Sequence, residues 1–468
     1  MQPIAPRCIP ELDPGFRPAI LTHLAFREAV ASCARKQPAC IALEQADGSV
    51  FHYRMDLPPD DHALAPDAAF VVERLVKFLL WSRGACRVHF AGPAAVAKAL
   101  SDYSRGDSRG QFDADIMGTR IYGKPFEIRH VALDDIPPEK AESRALGRNL
   151  EGCRIGFDLG ASDRKVAAVL DGEAVFSEEV EWNPTQQKDP QWHVDQIMDS
   201  LQRAAGHLPR VDAIGGSAAG VYVNNRVKVA SLFRSVPPDL FESRVKDIFL
   251  EIQQKWHGIP LDVVNDGEVT ALAGSMSLGA NAMLGIAMGS SEAVGFVNRE
   301  GNITSWLNEL AFAPVDYQAA APVDEWSGDR GCGALYFSQQ AVGRLTAPAG
   351  MKEIAEDLPL PDKLKRVQEL MANGDARATA IYRTIGVYLG YSVVHYADFY
   401  DMDNILILGR VTSGKGGEIL LDQAKDVLNT EFPELSQRIQ FHIPDEKDKR
   451  HGQAVAAASL PVLRSSQS

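Results

Sequence analysis

Cysteine is scarce and scattered in this chain. Six occur in 468 residues, at positions 8, 33, 40, 86, 153 and 332, and no two form a Cys-x-x-Cys pair. That excludes a zinc ribbon and a thioredoxin-type redox pair. Lone thiols fit a reducing compartment. Long apolar runs are also missing. The longest apolar helical candidate, Asp67 to Trp81, contains Glu73, Arg74 and Lys77 and is too short to cross a bilayer. The first residues lack the charged-then-apolar pattern of a secretory leader. A cytoplasmic protein with no membrane partner is expected. Basic charge is in deficit: Lys and Arg number 48 against 62 for Asp and Glu, a formal net charge of −14. Such a balance weighs against nucleic acid as a general partner.

What is present is ordinary soluble composition, 45% hydrophobic and 24% charged, enough for two or three domains with real cores. Two regions differ in character. Residues 1–150 open with a Pro-rich arm and a helix near Phe26 to Lys36. A strand pair (Ala39 to Ala46, Val50 to Met55) follows across Asp47-Gly48. Helix Ala68 to Trp81, strand Cys86 to Phe90, helix Ala94 to Tyr103 and a Gly/Ser/Asp-rich loop over Ser104 to Gln111 come next. The stretch at 137–142 reads as a linker or short helix. This part carries no chemical motif and is expected to be an α/β extension. From 151 to 468 the pattern is α/β, with strands ending in small-residue turns and amphipathic helices between them.

Four segments of that second region carry the chemistry. Ile155, Phe157 and Leu159 alternate into Asp158-Leu-Gly160-Ala-Ser162, and the chain returns as a strand over Val166 to Leu170, with a third strand after Asp171-Gly172. Backbone N–H groups of such a turn can approach a phosphate, and Asp158 can hold Mg²⁺ through water. Strand Leu261 to Val264 ends at Asn265-Asp266. Met283 to Ala287 runs into a second small-residue turn, Gly289-Ser290-Ser291. Strand Asn404 to Leu408 ends at Gly409. A carboxylate at a strand end beside a phosphate cradle can serve as general base, taking a hydroxyl proton as that oxygen attacks a γ-phosphoryl group. Asp266 is the candidate base. The competing structural roles are an Asx-type turn for Asp158, a helix N-cap for Asn265-Asp266, and simple hairpin turns at the glycines.

The order of these segments, over about Gly152 to Leu463, resembles the ROK family of sugar kinases and regulators within the actin-like ATPase superfamily. The first family motif, Asp-x-Gly-Gly-Thr, matches Asp158 to Ser162, and the catalytic Asn-Asp matches Asn265-Asp266. The second phosphate turn matches Gly289 to Gly295, and the adenosine loop follows Ile407-Leu-Gly409-Arg410. The resemblance implies a glucokinase-like, actin-like (ribonuclease H-like) two-lobed α/β fold using ATP and Mg²⁺. It implies that Asn265 and Glu309 hold sugar hydroxyls, and that Asp158, Gly160, Ser162, Gly289, Ser290, Gly409 and Arg410 face the nucleotide.

The chain departs from the family in specific places. Phe312 stands where the family has a zinc-binding His. The zinc segment aligns with Glu325 to Ala334, of which Gly328, Gly331 and Cys332 are kept, so no structural zinc is expected. Ala334 replaces a second sugar-contacting Glu. Glu292 and Asp163 add negative charge near the phosphate turns, which Mg²⁺, Arg164 or Lys165 would have to offset. Arg410 replaces a glycine and can stack on adenine or obstruct it. Two functions are therefore carried forward. One is ATP-dependent phosphorylation of a sugar or sugar-derivative hydroxyl. The alternative is a non-catalytic sugar- or partner-binding descendant of a sugar kinase. The N-terminal extension shows no helix-turn-helix with a basic recognition helix. It reads instead as a cover for the cleft or a self-association surface giving a homodimer.

Overall fold

The computed structural model describes residues 1–140, 146–444 and 452–463. His451, which reads as structural or solvated in the sequence, and the end of the 137–142 stretch lie outside the described residues.

The N-terminal residues build helix α1 (Ala19–Ala31), strands β1 (Gln37–Glu44) and β2 (Val50–Leu57), helix α2 (Ala65–Arg83), and strands β3 (Arg87–Ala91) and β4 (Glu127–His130). The sheet order is β2-β1-β3-β4. The expected loop over Ser104 to Gln111 is mostly helical. Helix Ala94–Gly106 is followed at once by Ser108–Ala114, because the Asp107 side chain accepts from the Arg109 N–H and caps the second helix.

The first lobe holds β5 (Cys153–Leu159), β6 (Asp163–Leu170), β7 (Glu173–Glu181), β8 (Ala213–Ala218), a small pair β9 (Val221–Val223) and β10 (Arg226–Val229), and β11 (Leu261–Asn265). Its main sheet is ordered β11-β8-β5-β6-β7. Alternation on β5 buries Ile155, Phe157 and Leu159 in one core with Ile214, Phe249 and Val263. The opposite face carries glycine for a reason. A Cβ at Gly156 would sit 1.7 Å from the Ala454 carbonyl oxygen, and one at Gly215 would sit 1.7 Å from that of Ala457. The alanine-rich helix Gly452–Ala458 lies directly on this face. The turn between β6 and β7 has positive φ at both Asp171 and Gly172, the hairpin geometry that Asp-Gly favours.

The second lobe holds β12 (Met283–Met288), β13 (Glu292–Val297), β14 (Asn404–Leu408) and β15 (Gln440–His442), ordered β13-β12-β14-β15. Helix Asp266–Leu278 joins the lobes. The 22-residue helix Ala376–Ala397 shares a core with the second sheet, and Tyr388, Tyr391 and Tyr396 are packed inside that core. One continuous hydrophobic core extends from Phe16 and Phe78 through Leu284 and Phe296 to Tyr391 and Leu428. The N-terminal helices and the second lobe are thus built around the same interior. No helix among the described residues is long and apolar enough to cross a membrane.

Candidate active site

Parallel pairing brings the acidic strand ends together. β5, β8 and β11 are adjacent and parallel. Asp158 pairs with Ser217, Leu159 with Ala218, and Ala218 with Asn265. Asp266 follows Asn265 directly. Two strand spacings across the sheet and two residues along it separate the backbones of Asp158 and Asp266, about 12 Å, which leaves room between the side chains for small groups. Asp158 is buried and accepts from the Ser217 hydroxyl at 2.6 Å, with the Lys165 ammonium 3.7 Å from its other oxygen. Burial raises its pKa, while Ser217 and Lys165 pull it back. Asp266 starts the joining helix. Burial, and then the charge of Asp158, push its carboxyl up to about 6. The two acids therefore share one electrostatic environment. A carboxyl poised near neutrality is suited to proton transfer.

Asn265 is the N-cap. Its side-chain oxygen accepts from the Gly267 N–H at 2.7 Å, and its amide donates to the Gly220 carbonyl at 2.8 Å. It locks the joining helix to the loop after β8. Glu309 extends the acidic line. Burial and Asp266 push its carboxyl up to about 7. Glu292 ends the line, at about 8 through burial and then Glu309.

Glu292 does not point toward a phosphate. It is 4% exposed, neither carboxylate oxygen has a hydrogen-bond partner, and one of them lies against Gly333. Alternation along β13 turns this side chain into the protein on the Glu309 side. Asp163 is neutralised locally: its carboxylate accepts from the Ser162 hydroxyl at 2.9 Å and sits 3.4 Å from Lys165. Arg164 takes no part, since it is buried on Asp199 and the Gln196 carbonyl. In the first turn the Gly160 N–H bonds the Asp163 carbonyl at 2.9 Å, and Trp182 closes the turn from behind through the Gly160 and Ser162 carbonyls. In the second turn Ser290 is exposed, and the Gly289 N–H bonds the Ser291 carbonyl.

A cavity of about 540 Å³ opens between the lobes. Lys165 lines it from the first lobe, Gly409, Arg410 and Ser413 from the second, and Thr270 and Gly274 from the joining helix. Gly409 has φ +102°, and a Cβ there would strike the Met288 backbone, so the loop passes tightly over β12. Arg410 is exposed at the rim and leaves the cavity open. A second cavity of about 270 Å³ is lined by Tyr222, Glu268, Ser305 and Trp306. It adjoins the Glu309 loop; burial raises the Tyr222 phenol pKa, and the nearby charge of Asp266 raises it further.

These acids also suit a magnesium–triphosphate. Mg²⁺ keeps most of its waters and takes one or two carboxylates beside the phosphates. Asp158, at the strand end beside the first turn, could supply one such carboxylate. No group of three or more His, Cys, Asp or Glu is arranged to hold a metal among the described residues.

Sequence reasoning missed Ser217, which hides in a run of small residues at the end of β8. It also missed Glu268 and Asn308. The Asn308 amide donates to Glu268 at 3.2 Å, and its oxygen accepts from the Tyr400 hydroxyl at 2.9 Å. Asn308 has φ +52°, a conformation in which Asn is over-represented among non-glycine residues.

Two lobes of this order, with a joining helix that starts at the cleft, define the actin-like fold. Comparison with known proteins agrees. No family model matches the chain. It is 26% identical over 307 residues to the glucokinase of Halalkalibacterium halodurans, covering 62% of this chain and 89% of that enzyme. Its fold is similar to the ROK hexokinase of Thermus thermophilus, with a TM-score of 0.52 at 16% identity over 65% of this chain and 96% of that one. A ROK family glucokinase from Streptomyces griseus, solved with glucose and AMPPNP, superimposes with a TM-score of 0.47 at 20% identity, covering 66% of this chain and 98% of that one. The chain is thus similar in sequence to a glucokinase and in fold to a ROK hexokinase.

Proposed function

We propose that the protein phosphorylates a hydroxyl of a sugar or sugar derivative with ATP. The observation that carries this reading is the pair Asp158 and Asp266 at neighbouring strand ends, with Lys165 set between Asp158 and an open interlobe cavity. Asp266 accepts the hydroxyl proton. The hydroxyl oxygen forms a bond to the γ-phosphorus while the bond to the β,γ-bridging oxygen breaks and ADP leaves. Asp158 would hold Mg²⁺ through water, and the ion supplies charge neutralisation on the phosphates. Lys165, whose ammonium is raised by Asp158 and Asp163 against the opposing effect of burial, lies where it can attract the phosphates. Gly160, Ser162, Gly289 and Ser290 offer the two turns. Gly409 and Arg410 flank the adenosine end, with Arg410 free to stack on the base. Asn265 and Glu309 stand on the acceptor side.

Residues 1–150 form the extension and 151–468 the kinase portion in this reading. Glu292 and Arg410 would favour the non-catalytic alternative if they filled the cleft, but one turns inward and the other stays at the rim. The test is ADP release by purified protein across a panel of hexoses, hexosamines and N-acyl hexosamines, with mass detection of the phosphorylated product. A product 80 Da heavier than one acceptor, the mass of one phosphoryl addition, is expected. ATP hydrolysis that no sugar accelerates would refute the proposal.

A further inference from the structure

Helix α2 belongs to the N-terminal region and packs largely against it, yet its C-terminal end meets the loops that carry Glu309. The carbonyls at its C-terminal end, which a helix leaves without internal partners, accept hydrogen bonds from those loops in antiparallel order. Glu309 donates its N–H to Trp81 at 2.9 Å, Asn308 to Ser82 at 3.1 Å and Leu307 to Arg83 at 3.3 Å. The Arg83 guanidinium lies 3.5 Å from the Trp306 ring centre and 4.6 Å from that of Tyr400. The Trp81 ring lies 4.4 Å from Phe312.

Earlier on the same helix stand two buried cations. Lys77 is 0% exposed. Its ammonium donates to Asp113 at 2.9 and 3.1 Å and is paired with Asp329 at 3.1 Å. Arg74 donates to both oxygens of Asp329 at 3.0 Å, and Arg109 to one of them at 3.2 Å. Asp113 is completed by the Trp81 indole at 2.9 Å and the Tyr103 hydroxyl at 2.7 Å. Burial alone would raise the Asp329 carboxyl, but Lys77 and Arg74 reverse the sign and hold it well below the usual range. Cys332, in the same loop as Asp329, has its thiol pushed up to about 12, chiefly by burial. It stays protonated beside the ammonium and is a poor metal ligand.

We infer that α2 is a built-in clamp for the acceptor side of the cleft. The Lys77 ammonium, held between Asp113 and Asp329, ties the 324–332 loop to the N-terminal region. The Trp81 to Arg83 carbonyls fix the backbone of Leu307, Asn308 and Glu309. A fixed internal cation thus does the cross-linking that a bound metal ion could do between the same loops, and positioning is the role this assigns to the N-terminal extension. Lys77, Arg74 and Trp81 are positioning residues and act through Glu309. Only the name "acceptor side" rests on the kinase reading.

Hydrogen exchange of the full-length protein tests the clamp without reference to activity, because the amides of residues 307–309 are themselves the clamped groups. In Lys77→Met, exchange at these amides is expected to accelerate by about a hundredfold to several thousandfold, the range implied by loss of a buried ion pair. The β5–β6 hairpin should keep its wild-type rate. The KM for the accepted sugar should rise while that for MgATP stays unchanged. Arg109→Gln, at the outer edge of the network, should give a smaller acceleration at the same amides, and it decides the matter if Lys77→Met does not fold. Unchanged exchange at 307–309 in whichever of these variants folds overturns the inference, as does acceleration spread evenly over both lobes. If the wild type phosphorylates no sugar, the kinase reading falls and the exchange result still decides the clamp.

Discussion

Replacing Glu292 by leucine should stabilise the protein, and more so as the pH rises. The carboxyl is enclosed, both oxygens lack partners, and burial followed by the charge of Glu309 moves it from 4.5 to about 8. The folded state therefore keeps a proton that the unfolded chain gives up near pH 4.5. Between these values the folded protein binds more protons, so stability falls as pH rises through the window. At 1.36 kcal/mol per pKa unit, the cost is about 2 kcal/mol at pH 6, about 3 at pH 7 and about 5 at pH 9. Leucine removes it and adds apolar contact. The assay is urea unfolding of wild type and Glu292→Leu at pH 6 and pH 9, following the second-lobe transition by tryptophan fluorescence. The advantage of the variant should grow by about 3 kcal/mol between the two pH values. A constant difference would refute the reasoning. It would mean that the carboxylate reaches water, and hence that it turns toward the cleft and opposes the phosphates.

Other consequences are simpler to read. The kcat/KM for the accepted sugar should fall tenfold per pH unit below an apparent pKa near 6, because Asp266 must be ionised to accept a proton; Asp158→Asn should shift that limb to lower pH, and an unmoved limb would show that the two acids are not coupled. Lys165→Met should raise the KM for MgATP by about tenfold or more, since it uncovers the charges of Asp158 and Asp163; an unchanged KM would remove Lys165 from the phosphate site. Gly156→Ala should cost about 1–3 kcal/mol or more in urea unfolding, because its Cβ meets the Ala454 carbonyl at 1.7 Å; wild-type stability would mean that the C-terminal helix does not lie on β5.

Much of the architecture was legible where turn chemistry and alternation coincide. β5, β11, β12 and β14 fall within a residue or two of expectation, because each pairs an apolar run with a small-residue stop. The candidate residues Asp158 and Asp266 were legible as strand ends, but apart from the family resemblance their relative placement was not. It depends on β8 lying between their strands, and nothing local encodes that order. The helix over Ser108–Ala114 was hidden because Gly, Ser and Asp composition reads as loop, whereas Asp107 caps it and Arg109 is held by Asp329 far along the chain. The most instructive oversight concerns α2. Arg74 and Lys77, three residues apart on an apolar face, served in the sequence only to exclude a membrane span. Cations on a core-facing stripe require buried anions, and that was the available signal for the network with Asp113 and Asp329. For Glu292 the charge was legible and its direction was not, because direction depends on which face of β13 meets Gly333.

The central claim is that Asp266 accepts the proton as the phosphoryl group moves. Calorimetry and turnover on Asp266→Asn, run side by side with the sugar that the wild type accepts, test it most directly. The variant should bind that sugar and MgATP with near wild-type affinity, while kcat falls by about 10²–10⁴-fold. Wild-type kcat in the variant would contradict the account.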